Sequence, residues 1–134
     1  MSAVAPVKRT TLYIPDTGPS HNPSVPHLHI VLTNPCSKGY QLLVSISSCR
    51  TRYDKTCVLS KKDHPSFIRH DSFVNYALAK PHETKALITR MNAGDIISKG
   101  MFDERLFGFV LKGLLESPHT TTATRRYYEQ NKAN

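Results

Sequence analysis

Short apolar runs, each closed by proline, glycine or small polar residues, dominate the first two thirds of the sequence and constrain its fold more than any other feature. The first run, Thr10–Ile14, is rich in β-branched and aromatic residues and stops at Pro15. The loop that follows, residues 15–26, contains four prolines. Runs of this length match strands and are too short for ordinary helices. The sequence therefore predicts a sheet of short strands joined by polar loops.

Alternation of apolar and polar residues extends this pattern along the chain. Residues 27–33 place their apolar side chains on one face, which is typical of a half-buried strand. Residues 40–47 contain a central apolar run that predicts burial on both faces. We expect these two strands to pair as a hairpin, and residues 56–59 to form a further short strand.

The last third of the chain contains the clearest helical segment. Residues 103–116 have a broad apolar face, Asp103 is placed to cap the N-terminus, and a serine–proline pair ends the segment. Gly108 and Gly113 each weaken such a helix by about 1 kcal/mol relative to alanine. Packing against the sheet or a partner subunit must therefore stabilise it.

Two segments before this helix fit more than one element. Residues 72–79 are compatible with a helix and with a strand, and their Phe, Val and Tyr content favours a strand that ends at Pro81. Residues 84–90 are compatible with a short strand or with the first turns of a helix.

The order of elements is five or more short strands followed by one helix. It predicts a mostly β (α+β) fold and matches a small barrel with a C-terminal helix better than a βαβ layout. We expect a single domain over residues 10–117, with a flexible basic arm at residues 1–9 and a flexible polar tail at residues 118–134.

The charge and the cysteine content of the chain limit the classes of function that it can have. The 134 residues include 18 Lys and Arg against 10 Asp and Glu, a formal net charge of +8 that favours polyanionic partners, with nucleic acid first among them. The three cysteines form no CxxC pair, which favours a reducing cytoplasm. No apolar stretch approaches the length of a membrane span or a signal peptide core, so no membrane association is expected.

The residue types that cleave RNA without a metal are concentrated in the middle of the chain. Internal attack by a ribose 2′-hydroxyl needs a base, an acid, and cations or donors for the phosphate oxygens. Histidine, arginine and serine supply these groups, so we expect no cofactor. The predicted catalytic residues are Ser48, Arg50, His64, Arg69 and His70. The predicted RNA-binding residues are His21, His29, Ser47, Arg52, Lys61 and Lys62.

Other interpretations of the same residues remain open. His27 and His29 point the same way on a strand and fit part of a metal site, although no metal-ligand motif accompanies them. They fit equally well as partly buried imidazoles that are hydrogen-bonded to backbone. A thiol nucleophile at Cys49 or Cys57 has no supporting motif. A non-catalytic barrel that binds nucleic acid or protein is the main alternative to a nuclease.

The layout also resembles that of a known family. The strand over residues 11–14, the loop with Gly18 and His21, the strand at residues 29–33, the strand over residues 42–46 ending in Ser47-Ser48, the segment at residues 72–77 and the C-terminal helix together resemble the PemK/MazF-like toxins. The resemblance covers roughly residues 10–116.

This resemblance implies an SH3-like barrel that cleaves single-stranded RNA, forms a homodimer and is neutralised by a small acidic antitoxin. It places the family's Thr/Ser pair on Ser47 and Ser48 and its first-loop position on His21. The chain has Pro26-His27 where the family commonly carries Arg-Pro, and residues 63–70 have no counterpart. These differences suggest that His64 and His70 perform the acid/base step here.

Overall fold

The computed structural model describes residues 4–18, 25–62, 68 and 70–134. Within these residues the chain forms a six-stranded antiparallel sheet, curled into a half-barrel, and three helices. The strands are β1 (Thr10–Ile14), β2 (His27–Val31), β3 (Tyr40–Ser48), β4 (Val58–Leu59), β5 (Ser72–Glu83) and β6 (Ile97–Met101). The helices are α1 (Thr84–Asn92), α2 (Glu104–Glu116) and α3 (Thr122–Asn131). The mostly β, α+β prediction with a C-terminal helix is confirmed.

The strand order is β4-β5-β3-β2-β1-β6, so β4 and β6 are the two edges of the sheet. The predicted hairpin of the second and third strands is confirmed, since Leu28 pairs with Ile46 and Ile30 with Val44. In the described part of the chain, every helix is too short or too polar to span a bilayer.

Each face of the sheet covers its own apolar core. Side chains alternate between the faces of a strand, so β2 and β3 contribute to both cores. On one face Ile30 and Val44 pack with Val110 and Leu114 of α2. On the other, a smaller cluster includes Leu87 of α1. This arrangement agrees with the burial on both faces that the sequence predicts for β3.

The expectation that Pro81 ends its strand is wrong, because β5 continues to Glu83. Pro81 lies opposite Leu42. The backbone of Leu42 is directed to the other side, where Leu42 N donates to Thr33 Oγ1 (2.9 Å) and Leu42 O accepts from Leu32 N (2.8 Å). This position of the β3–β5 ladder therefore needs no N–H from β5, and a proline fits without losing a hydrogen bond.

The described residues of both terminal segments make tertiary contacts, whereas the sequence predicted flexible segments there. Residues 118–134 contain α3, whose Thr124 hydroxyl donates to Ala79 O (2.7 Å) and whose Tyr128 is buried. In the N-terminal arm, Pro6 O accepts a buried hydrogen bond of 2.6 Å from Gln41 Nε2. Local composition misses these elements because their stability comes from tertiary contacts.

Two further elements differ from the sequence-based expectations. Residues 84–90, which the sequence left open between a strand and a helix, belong to α1. The helix begins at Thr84, whose backbone N–H donates to Gly39 O (2.8 Å). Strand β6 was not predicted. All five residues of β6 are exposed, so the strand has no buried face that an apolar pattern in the sequence could mark. It is recognised as a strand only from its pairing with β1.

Two glycines of α2 allow a direct test of how this helix packs. A Cβ on Gly113 would overlap the hydroxyl of Tyr76, a fully buried side chain that donates to Val110 O (2.7 Å). A Cβ on Gly108 meets nothing within 4 Å. We expect Gly113→Ala to lower the free energy of unfolding by roughly 1–3 kcal/mol through overpacking, despite the better helix propensity of alanine.

Urea denaturation of both variants measures this difference. Gly108→Ala is the matched control and should raise stability by up to about 1 kcal/mol, as propensity alone requires. Equal stability changes in the two variants would show that α2 does not approach β5 as described.

Candidate functional site

A cleft of about 1240 Å³ lies at one end of the sheet, where β1 and β3 end and β2 and β5 begin. Residues of all four strands contribute to it, together with Lys99 of β6 and described residues of the connecting segments. Three consecutive residues of β3, Ile46, Ser47 and Ser48, line the cleft. Because consecutive side chains point to opposite faces, the cleft borders both faces at the end of this strand. The antiparallel order of the sheet therefore brings together segments that are distant in sequence.

Ser48 and His70 meet in this cleft. Ser48 Oγ and His70 Nε2 are 2.5 Å apart, a short hydrogen bond. The register explains the contact, because Ser48, the last residue of β3, pairs with Ser72, the first residue of β5. The Ser72 hydroxyl donates to His70 O (2.9 Å) and Cys49 N donates to Asp71 O (3.1 Å), which holds the turn before β5 against the end of β3.

In the described part of the chain, the charged side chains that line the cleft are all basic. Arg50 and Arg52 follow β3, and Lys99 approaches from β6. Among the described residues that line the cleft, none is an aspartate or glutamate. With a formal net charge of +8 on the whole chain, this distribution attracts and can bind an anion. Neighbouring Asp54 instead accepts from Ser117 Oγ (2.6 Å) and Thr56 Oγ1 (2.6 Å), and fixes the loop after β3 to the end of α2.

The floor of the cleft is apolar. Tyr13 pairs with Leu28 on the neighbouring strand, and Leu28 pairs with Ile46 on the next. Directly opposite residues point to the same face of a sheet, so the three side chains form one row. Phe73 pairs with Ser47 and so points to the opposite face, but it also lines the cleft at this end of the sheet, and its ring centroid lies 5.4 Å from that of Tyr53. Aromatic and aliphatic groups beside cations are suited to a ligand with both flat apolar and anionic parts.

His27 lines the cleft at the start of β2. Its Nδ1 lies 3.1 Å from Thr17 Oγ1, and burial lowers its pKa. The Thr17 hydroxyl donates to Ile14 O (3.0 Å), which leaves its oxygen to accept from the Nδ1–H of His27. The neutral ring then keeps a lone pair on Nε2, which can accept a proton.

The structure brings together five of the residues predicted from the sequence. Ser47, Ser48, Arg50, Arg52 and His70 all line the cleft. Three other predicted residues lie outside the described part of the chain: His21, His64 and Arg69. Their roles stay predictions.

The remaining predicted RNA-binding residues lie elsewhere. Lys61 and Lys62 are exposed in the turn after β4 and do not line the cleft. His29 is only 6% exposed and does not line the cleft. Sequence reasoning missed Tyr13 and Lys99. No feature of the sequence indicated Lys99, because β6 itself was not predicted. Tyr13 could have been found, because it is an aromatic residue in the first predicted strand.

The alternative chemistries gain no support from the described residues. No group of three or more His, Cys, Asp or Glu side chains there is placed to hold a metal ion. His29 Nδ1 lies 3.1 Å from His27 O, so this ring is hydrogen-bonded to backbone, as one of the open interpretations states. Burial raises the pKa of the Cys57 thiol, which disfavours the thiolate that nucleophilic attack needs.

The buried His29 packs against the half-buried His82 of β5. The two ring centroids are 6.3 Å apart in an edge-to-face arrangement. Burial is the main cause that lowers the pKa of each to about 4, and the charges of the other histidine, His27 and Lys80 add to it for His29. Both imidazoles are therefore neutral near pH 7.

This pair predicts a loss of stability in mild acid. Between pH 6.5 and about 4 the unfolded chain binds protons that the folded chain excludes, so the free energy of unfolding falls as the pH falls through this range. Chemical denaturation at a series of pH values measures the slope. We expect His29→Leu to reduce that slope by at most about half, since His82 and His27, whose pKa values burial also lowers, continue to contribute.

The exposed His119 provides the control for this experiment. His119→Leu should keep the slope of the unsubstituted protein. If the free energy of unfolding has the same slope against pH in His29→Leu and His119→Leu, the acid sensitivity does not come from the His29–His82 pair.

Comparison with known proteins adds no relative. No protein-family model matches this chain, and no curated protein matches it. The geometry and charge of the cleft are therefore the features that indicate a function.

Proposed function

We propose that this protein is an endoribonuclease that cleaves single-stranded RNA by metal-independent acid/base chemistry in the cleft. The observation that supports this most directly is the Ser48–His70 hydrogen bond, inside a cleft whose described charged lining is entirely basic. Such a surface attracts a polyanion, and an imidazole at its wall can act as a general acid or base.

The reaction is transesterification followed by product release. The ribose 2′-oxygen attacks the adjacent phosphorus while a base removes its proton. The bond from phosphorus to the 5′-oxygen breaks, and an acid gives that oxygen a proton. The products are a 2′,3′-cyclic phosphate and a free 5′-hydroxyl, so no metal, redox partner or other reactant is consumed.

Each role has a candidate in the cleft. His70 exchanges a proton with the substrate, and Ser48 orients its ring and donates to a phosphate oxygen. Arg50 and Arg52 neutralise the charge that develops on the phosphate. The second proton-transfer group is His27, which lines the cleft, or His64, which the sequence analysis predicts for this role.

A non-catalytic binding module is the second candidate. The same cations would attract an acidic disordered segment of another protein, which fits the antitoxin expected from the PemK/MazF-like resemblance.

A cytoplasmic toxin that acts as a homodimer is the cellular form of the nuclease proposal. It is supported by the mostly β half-barrel, whose fold agrees with the expectation from that resemblance.

Cleavage of a labelled single-stranded RNA in EDTA tests the proposal. We expect the protein to release fragments that end in a 2′,3′-cyclic phosphate, and to leave intact a substrate with 2′-deoxyribose throughout. His70→Ala should lower the cleavage rate by at least about 100-fold, because it removes a general acid/base group. Its affinity for the uncleavable substrate should stay close to that of the unsubstituted protein.

His119→Ala, which removes an exposed imidazole away from the cleft, is the matched control and should keep full activity. Binding of RNA without cleavage would favour the second candidate. In a bacterium, induced expression should arrest growth and fragment transcripts, and His70→Ala should do neither; intact RNA in arrested cells would count against the nuclease.

A further inference from the structure

We propose that Tyr13 and Lys99 form a nucleobase subsite of the cleft, in which an unpaired base stacks on the tyrosine ring and the ammonium group contacts an adjoining phosphate. This inference rests on the proposed function and specifies how the substrate is held. The base belongs to a nucleotide next to the one whose phosphate reacts.

The row of side chains across three strands places Tyr13 at the outer end of the cleft floor. Exposure falls along the row, from 39% for Tyr13 through the half-buried Leu28 to 6% for Ile46. The tyrosine ring is therefore accessible, while the floor beyond it is closed and apolar. A flat ring that lies on this floor contacts Tyr13 and Leu28 without displacing any core residue.

Lys99 supplies the charge at this position. Its Nζ lies 5.6 Å from the centroid of the Tyr13 ring, and both residues line the cleft. A lysine ammonium and an exposed aromatic ring are the two groups that hold single-stranded nucleic acid without regard to sequence. The absence of carboxylates from the described lining removes the repulsion that would oppose a phosphate here.

The subsite is separate from the reacting centre. Tyr13 in β1 lies two strands away from Ile46 in β3. Ile46 in turn is two residues before Ser48 along β3. Strand spacing and rise place Tyr13 and Ser48 roughly 12 Å apart between their Cα atoms. Stacking on Tyr13 requires an exposed base face, so the subsite selects unpaired RNA, because a duplex covers both faces of its internal bases.

Binding of a fluorescent single-stranded oligodeoxynucleotide, which the proposed reaction cannot cleave, tests the subsite. We expect Tyr13→Ala to weaken binding by about 5- to 100-fold and Tyr13→Phe to keep the affinity. Tyr13→Leu retains apolar volume but has no π face, so it should weaken binding as well. The loss in Tyr13→Ala should shrink with an abasic oligonucleotide, since no base remains to stack.

Tyr40 offers a matched control, because it is 40% exposed and does not line the cleft. Tyr40→Ala should bind like the unsubstituted protein. Lys99→Ala should reduce the slope of log affinity against log salt by about 0.7, the value for one phosphate contact on a single strand. Lys38→Ala, in the turn at the other end of β3, should leave that slope unchanged.

The outcomes separate this inference from the proposed function. Equal affinities of Tyr13→Ala, Tyr13→Leu and Tyr40→Ala would overturn the subsite, even if RNA is cleaved and His70→Ala abolishes cleavage. Tyr13-dependent binding without any cleavage of RNA would support the subsite and overturn the nuclease. A protein that binds no single-stranded oligonucleotide would overturn both.

Discussion

The pairing of β3 with β5 is the interaction on which the rest of the structure depends. It joins the longest strands of the sheet, contributes side chains to both cores, and ends in the Ser48–Ser72 pair. Because the strands are antiparallel, this pair sets the end of one strand against the turn that leads into the other. The hydrogen bond between Ser48 and His70 follows from that register. A one-residue slip would turn every side chain of the strand to the opposite face.

Charge is distributed in a way that matches this geometry. Some basic groups serve the fold: Arg90 pairs with Asp95, and Arg125 donates to Leu115 O and Ser117 O, which closes the end of α2. The arginines after β3 instead border the cleft, while the nearby carboxylate of Asp54 is directed to Ser117. Three basic side chains, Arg50, Arg52 and Lys99, therefore line the cleft, where an anionic ligand can reach them. The local distribution is more informative about function than the total charge.

The parts of the fold that local pattern governs were predictable. Alternation and β-branched residues located β1, β2 and β3, and the Asp103 cap and broad apolar face located α2, where Asp103 Oδ1 accepts from Leu106 N (2.9 Å). The missed elements lack a local pattern. Strand β6 is exposed throughout, and α3 is polar in sequence and depends on Tyr128 and Thr124 at the sheet.

For the site, the sequence alone determined the residue types: seven histidines, an excess of cations, and one serine pair, Ser47-Ser48, at the end of a strand. These predicted acid/base chemistry on a polyanion and singled out Ser48, Arg50 and His70, which all line the cleft. Only the tertiary structure decided that His29 is buried beside His82 while His27 and His70 border the cleft. The physical reason is that strand pairing and sheet curvature join residues far apart in sequence. Which face a side chain occupies, and what lies opposite it, is therefore a property of the register and not of the local sequence.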